Sequence, residues 1–484
     1  MSAEKIRSLT FFPVFAYNSF KIAAGPAGKE EFSFMKKEYL IEEPPLKALL
    51  FFAGPMILGN LFQQLYTMAD SVIVGRFVGE NALAAVGASY SLTNVFISIA
   101  VGGGVGASVL TSQAFGRRDY RGMKRSVYTA LFSFLAISVL LGVIGLIFCE
   151  PLLRVLRTPG AVMGDAAVYL NIYFVGLPFL FMYNILSSMF NALGRSRIPL
   201  YLLILSSTLN VLLDLLMVGV WQWGVMGAAV ATLIAQGLSA VVSFCLFVRE
   251  IRHYSEKEPV RFSWPDAKAM ARIALPSILQ QSTVSIGMML VQSVVNSFGP
   301  EMLAGYSAVM RVESLCIVPM AALGNAMSSY TAQNLGANRE DRVRQGYRVS
   351  YGLVLGFAVL IGVLVLPFTG PLTRLFLEEN GTNIALSTGE SCMGFMGWFY
   401  GLIGLKMITD GVLRGAGDMP VFTLANLLNL GLRVVLAVTL APRFGIFMVW
   451  AAVPMGWLVN YLVSFWRYRT GIWCTKMKKK APSC

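Results

Sequence analysis

The sequence predicts an all-α integral membrane protein with 12 transmembrane helices in two six-helix lobes, related by pseudo-two-fold symmetry about the membrane normal. Three observations carry that expectation: the composition, the spacing of the apolar runs and an internal repeat. Of 484 residues, 56% are hydrophobic and 13% charged, where a soluble domain carries roughly 25% charged residues. Mean hydropathy is +0.65 over the whole length, which does not fit a soluble protein with a single anchor. Roughly 40 residues per helix and loop leave room for twelve spans of about 20 residues each. The apolar runs are long and continuous rather than alternating, which excludes a transmembrane β-barrel.

In chain order, spans are expected at about 47–74, 83–112, 126–149, 166–193, 198–220, 225–248, 269–298, 303–332, 348–376, 386–412, 420–442 and 446–466. Twelve spans put both termini on one side. Loops after even-numbered spans, together with the two tails, hold 31 of the 39 Lys and Arg residues. The RRDYRGMKR run (117–125), the loop from Arg249 to Arg272 and the KMKKK tail (476–480) all fall on that side. By the positive-inside rule it is the cytoplasm, so the expected location is the inner (plasma) membrane, multi-pass, with both termini cytoplasmic. The net charge of +14 is then topology plus attraction to anionic membrane lipid, with no need of nucleic acid. A monomer is expected.

The first 45 residues fit this scheme poorly. FFPVFAYNSF (11–20) is too short to span, and a second methionine, Met35, precedes KKEYLIEEPPLKALL. Either Met35 is the biological start and 1–34 an upstream extension, or the segment is an interfacial amphipathic one. Residues 1–45 are therefore set apart from a first lobe at 46–250, a cytoplasmic linker at 251–268, a second lobe at 269–470 and a basic cytoplasmic tail at 471–484.

The lobes follow from an internal repeat. GENALAA (79–85) aligns with GPEMLAG (299–305) at an offset of 220, where TSQAFGRRD (111–119) also meets TAQNLGANR (331–339) and Pro151 meets Pro371. At an offset of 221, Pro55 meets Pro276, GRSRIP (194–199) meets GAGDMP (415–420), and Gly224 meets Gly445. Each copy has six spans, an even number, so the copies share one membrane orientation. Two such lobes with a cleft between them is an alternating-access transporter design.

Several chemistries are excluded or unsupported. The six cysteines are scattered singly, with no CxxC and no metal-site spacing. The only histidine, His253, lies in a charged loop. The glycine run VGGGVGAS (101–108) has no GK[ST], follows no strand and lies inside a span, so close helix packing explains it better than a phosphate loop. An ATP-driven pump is excluded by the missing nucleotide-binding motif. No enzymatic motif is present, and no cofactor is expected.

Acids deep in apolar spans cost free energy and mark candidate functional sites. Asp70 closes the first span in QQLYTMADSVIVGR, with Gln63 about two turns before it. Asp214 follows Asn210 by one helical turn in LNVLLDLL, so both side chains face one way. Asn184 and Thr232 are further polar groups in the apolar fourth and sixth spans. A desolvated carboxyl holds a proton more readily, while amide and hydroxyl oxygens help to hold Na⁺; the alternative is that Asp70 and Asp214 cap helices or pair with Arg. Glu313, near Arg311 and close to a helix end, and Asp410, just before GVLRG, have a structural reading at least as good. After Pro276 the second half carries Gln280, Gln281, Gln292 and Asn296 but no acid, and NLGLR (429–433) places Arg433 near where Asp214 sits. Gln280, Gln281, Met288 and Arg433 are expected to line a substrate cleft.

PMILGNLFQQLYTMADSVIVGRFVGENALAAVG (55–87), the QAFGRRD and QNLGANRED turns, NALGRSRIP and LRGAGDMP resemble the multidrug and toxic compound extrusion (MATE) transporters of the MOP superfamily, over about residues 46–470. The resemblance implies a twelve-helix, two-lobe fold and export of organic cations and other amphipathic drugs or metabolites in exchange for H⁺ or Na⁺. It carries the family's first-lobe cation site onto Gln63, Asp70, Asn184, Asn210, Asp214 and Thr232, with Na⁺ held by the last five of these if that is the ion. Some members have a second acidic site on the seventh and tenth spans. Here the seventh has no acid and Asp410 stands too close to LRG, so the pattern resembles the prokaryotic branch coupled through the first lobe. A flippase for a lipid-linked precursor, from the same superfamily, is the alternative; it would need several cations in its cleft, and Arg311, Lys406 and Arg433 are the candidates.

Overall fold

The computed structural model describes residues 38–78, 80–156, 158–254, 261–377 and 382–474, without the side chains of 69–72, 74–76, 80–84 and 91. The Asp70 side chain, Met35 and the segment before it, part of the linker and the KMKKK tail lie outside the described residues. Among those described, the chain is helical almost throughout, with no strand. The elements are α1 (Tyr39–Glu42), α2 (Pro45–Phe77), α3 (Glu80–Gly116), α4 (Tyr120–Ile147), α5 (Cys149–Val155), α6 (Gly160–Ala192), α7 (Arg197–Asp214), α8 (Gly224–Arg252), α9 (Trp264–Asn296), α10 (Pro300–Gly336), α11 (Glu340–Val365), α12 (Thr369–Arg374), α13 (Asn383–Met396), α14 (Tyr400–Gly415), α15 (Met419–Phe444) and α16 (Phe447–Arg469).

Among the described residues, twelve helices are long and apolar enough to cross a membrane, at the places the apolar runs foretell. In lipid each backbone N–H and C=O must be satisfied within the segment, and continuous helix does this. Three spans are not simple rods: the ninth runs from α11 through a 3₁₀ turn, Leu366–Phe368, into α12. The fifth continues past Asp214 as a π-helical turn, Leu215–Val220. The tenth is α13 and α14 joined through a tight 3₁₀ turn, Gly397–Phe399.

The helix ends show the repeat in backbone geometry. Arg118 and Asn338, 220 residues apart, both take φ 58° just beyond α3 and α10. The next N–H closes the cap in each case, Asp119 onto the Ala114 carbonyl and Arg339 onto the Asn334 carbonyl. The GRSRIP and GAGDMP turns differ from the sequence pairing. Gly194 (φ 78°) corresponds to Gly417 (φ 73°), not to Gly415, because these are the left-handed positions and because Arg195 N–H reaches Phe190 O as Asp418 N–H reaches Leu413 O. The offset there is 223, since only glycine takes that backbone cheaply.

The chain forms two compact units. One holds Leu58–Gly104 and Lys124–Ala267, with Tyr39. There Gly103 and Gly104 let α3 approach α4 and α6: a Cβ on Gly103 would strike the Phe134 ring, and one on Gly104 would strike Ser188. Arg195 Nε and Glu250 pair at 3.1 Å, tying the start of α7 to the end of α8. The Tyr39 hydroxyl donates to the Gly194 carbonyl at 2.8 Å; burial pushes its phenol up, partly offset by Arg195 and Arg197.

The other unit holds Leu40–Ile57, Val105–Met123 and the chain from Lys268. Here Gly106 lies against the α9 backbone at Met270. The glycine run therefore packs helices. The ends of α3 and α10 cross reciprocally: a Cβ on Gly116 would meet the Gln333 carbonyl, and one on Gly336 the Gln113 carbonyl. These four residues are two repeat pairs at offset 220, so the contact is reciprocal between the repeats. Arg342 bridges α11 to Asn334 Oδ1 (3.0 Å) and to the Glu43 carbonyl (2.6 Å). Arg467 Nε and Asp418 pair at 2.6 Å, with Asp418 fully buried.

Candidate functional site

In the first unit α7 presents Asn210 and Asp214 one turn apart, 2% and 0% exposed. The Asn210 amide orientation follows from its neighbours. Its nitrogen donates to Asp214 Oδ2 at 3.0 Å and to the Tyr66 hydroxyl at 3.3 Å, and its oxygen accepts from Thr232 N (3.1 Å) and Oγ1 (3.2 Å). Three helices, α2, α7 and α8, thus meet at one amide. Thr232 also lines a small cleft between α6 and α8, with Tyr169, Tyr173 and Gln236. Burying a carboxylate beside neutral partners costs several kcal/mol unless a proton or cation joins it, so this arrangement is suited to taking up a positive charge.

The remaining expected residues are placed differently. Asn184 donates to the Leu180 carbonyl of its own helix at 2.8 Å, outside the Asn210 network. Gln63 is exposed, and its backbone carbonyl accepts from Thr67 at 2.9 Å. Tyr66 was not foreseen. The signal available was its place one turn before Asp70, but a tyrosine in an apolar span reads equally as packing.

In the second unit Asp410 is held in an ion pair and two hydrogen bonds. Lys406 Nζ lies 3.1 Å from its Oδ2, Asn426 donates to the same oxygen at 3.2 Å, and Ser464 donates to Oδ1 at 2.8 Å. Lys406 also reaches Asn426 Oδ1 at 3.1 Å. Each carboxylate oxygen has partners, the condition under which a buried ion pair is tolerated. Glu313 departs from expectation. It lies well inside α10, more than three turns from the nearer end, not close to a helix end. Arg311 is exposed, and the charge Glu313 faces is Arg433 of α15. Gln280 and Gln281 are half-buried on α9 and Met288 is exposed; no described hydrogen bond joins them to Arg433.

A family model, MatE, matches residues 55–216 and 276–439, two stretches that begin at the repeat prolines Pro55 and Pro276. A probable multidrug resistance protein of Bacillus subtilis, YpnP, is 30% identical over 429 residues, covering 88% of this chain and 96% of its own. An FAD transporter of Shewanella oneidensis is 25% identical, covering 70% and 76% respectively. Among solved structures, the outward-facing conformation of a multidrug resistance MATE family transporter of the MOP superfamily superposes with a TM-score of 0.84 at 23% identity, over 92% of this chain and 99% of that one.

Proposed function

The chain belongs to the MATE family of multi-pass membrane transporters, and from that premise we propose that it is a secondary antiporter exporting organic cations and other amphipathic drugs or metabolites in exchange for H⁺ or Na⁺. The observation that supports this best is Asp214, fully buried and held by Asn210, whose amide also engages Tyr66 and Thr232. While Asp214 is ionised, the Asn210 N–H points at it. A proton or Na⁺ arriving there removes the charge that orients the amide, and the Tyr66 and Thr232 hydroxyls must then rearrange. A change at one carboxyl therefore reaches α2 and α8 as well as α7. The π-helical turn that starts at Leu215 gives α7 a place to yield, since such turns break the regular hydrogen-bond register.

In this reading the six-span halves, 46–250 and 269–470, alternate access around the linker at 251–268, and Asp70 shares the ion with Asp214. Metabolites or drugs, the coupling ion and surrounding lipid are the partners of a monomer in the inner (plasma) membrane, with both termini cytoplasmic. One elementary charge moved through 100 mV yields about 2.3 kcal/mol, a useful gradient for export. The flippase alternative is weakened because Lys406, one of its three candidate cations, is neutralised by Asp410.

The test is efflux of a fluorescent organic cation from cells expressing the wild type, Asp70→Asn or Asp214→Asn, with the Na⁺ and pH gradients collapsed separately. Efflux that needs either acid and stops with one gradient is expected, and names the ion. Efflux unchanged in Asp214→Asn would remove this acid from the mechanism.

A further inference from the structure

NLGLR (429–433) of α15 places Arg433 near where Asp214 sits in α7, with Asn429 one turn before it as Asn210 is one turn before Asp214. The second half thus carries a base where the first carries an acid. Asn429 and Arg433 both lie against Gly456 of α16: a Cβ there would meet Asn429 Oδ1 and come within 2.7 Å of Arg433 Cγ. Arg433 Nε and Asn429 Oδ1 are buried, and neither has a hydrogen-bond partner among the described residues. Glu313, 7% exposed, faces Arg433 electrostatically, yet the two form no direct ion pair and Glu313 accepts no hydrogen bond among the described residues. Arg433 Nε and Asn429 Oδ1 are thus buried polar atoms with unmet hydrogen-bonding capacity, and Glu313 has no ion-pair partner in direct contact among the described residues.

Resting on the transporter reading, we propose that the second unit binds an oxyanion, the carboxylate or phosphate of a transported solute, at Arg433 and Asn429, and that Glu313 takes up one proton as it binds. With Glu313 ionised the site is neutral, the acid balancing the base. An anion entering alone would leave a net negative charge in a desolvated place, at a cost of several kcal/mol. If a proton from water adds to a Glu313 carboxylate oxygen, the site is neutral again, with the anion now the counter-ion of Arg433. No other bond forms or breaks. The Asn429 amide can turn its N–H toward the anion, as the Asn210 amide turns its own toward Asp214. The other titratable groups facing Glu313 are Tyr306 and Cys316 on its own helix, Cys392 from α13 and Tyr400 from α14. All are neutral near pH 7 at ordinary pKa values, so among the described residues Arg433 is the charge that Glu313 answers to.

The test is calorimetric titration of the full-length detergent-purified protein with benzoate, ionised throughout, and separately with inorganic phosphate, at about pH 5.5 and about pH 8. With one linked proton, affinity for benzoate is expected to be at least about tenfold tighter at the lower pH. Arg433→Gln should lose binding, and Glu313→Gln, which mimics the protonated acid, should bind equally at both pH values. Binding of benzoate alone would identify a carboxylate site, and of phosphate alone a phosphate site. Absence of binding by folded wild type, wild-type affinity in Arg433→Gln, or an intact pH dependence in Glu313→Gln would each overturn the proposal. Should Arg433→Gln not fold, Glu313→Gln decides alone. Because the readout is binding, failure here is distinct from failure of cellular efflux, which bears on the antiporter reading.

Discussion

In the first half of the chain α7 carries Asn210 and Asp214; in the second, α15 carries Asn429 and Arg433 with the same one-turn spacing. The asparagine is kept and the charge beside it is inverted. The first pair is knitted to α2 and α8 through Tyr66 and Thr232, whereas in the second the buried Arg433 Nε and Asn429 Oδ1 have no described partner. One acid that the second half holds firmly, Asp410, is neutralised by Lys406 on its own helix. One repeat has thus produced a closed network around an acid and an open one around a base, so symmetry of backbone does not carry symmetry of chemistry.

The comparison can be broken or sharpened by substitution. The largest effect on stability is expected at Asp410. Asp410→Ala leaves Lys406 buried without its counter-ion and should cost about 3–5 kcal/mol, read as a lowered melting temperature in detergent; adding Lys406→Met should recover most of it. Next come the two inter-helix ion pairs. Asp418 is fully buried, while Glu250 retains 19% side-chain exposure. Arg467→Gln should therefore cost about 3 kcal/mol and Arg195→Gln under about 1 kcal/mol in the same melts; equal costs would refute the burial argument. Gly116→Ala and Gly336→Ala should each cost about 1–3 kcal/mol by overpacking, and by nearly the same amount, because their contacts are reciprocal. The smallest change is Tyr66→Phe, which removes one hydroxyl acceptor from Asn210. About 0.5–1.5 kcal/mol and a few-fold loss of efflux at unchanged protein level are expected.

Spans, repeat and the acids were legible in the sequence because each rests on local pattern: apolar length, matching turns, and charge where charge is costly. The Asn210–Asp214 contact was legible for the same reason, as a one-turn spacing on one helix. Partners brought by other helices were not. Nothing in MGWLVNYLVSF marks Ser464 as the donor to Asp410, fifty-four residues away, and nothing around Tyr66 points to Asn210. Glu313 was misplaced because a nearby Arg in sequence is a poor guide to the charge that faces a side chain in a bundle. The Gly194–Gly417 register was missed because the pairing rested on a shared proline, while the fold keeps the left-handed residue in step.

The ion pairs Arg195–Glu250 and Asp418–Arg467 are themselves a swapped pair: α7 begins beside a base in the first half and α15 beside an acid in the second, and the partner helices α8 and α16 answer with opposite signs. A chain built from two similar halves runs the risk, while folding, that α16 docks on α7, or α8 on α15. Either exchange would set Arg467 against Arg195 or Glu250 against Asp418. Like charges brought together out of water are repelled, so each wrong docking carries its own penalty and the true one alone is neutral. The inversion of sign between the halves thus lets each helix distinguish its own neighbour from that neighbour's twin.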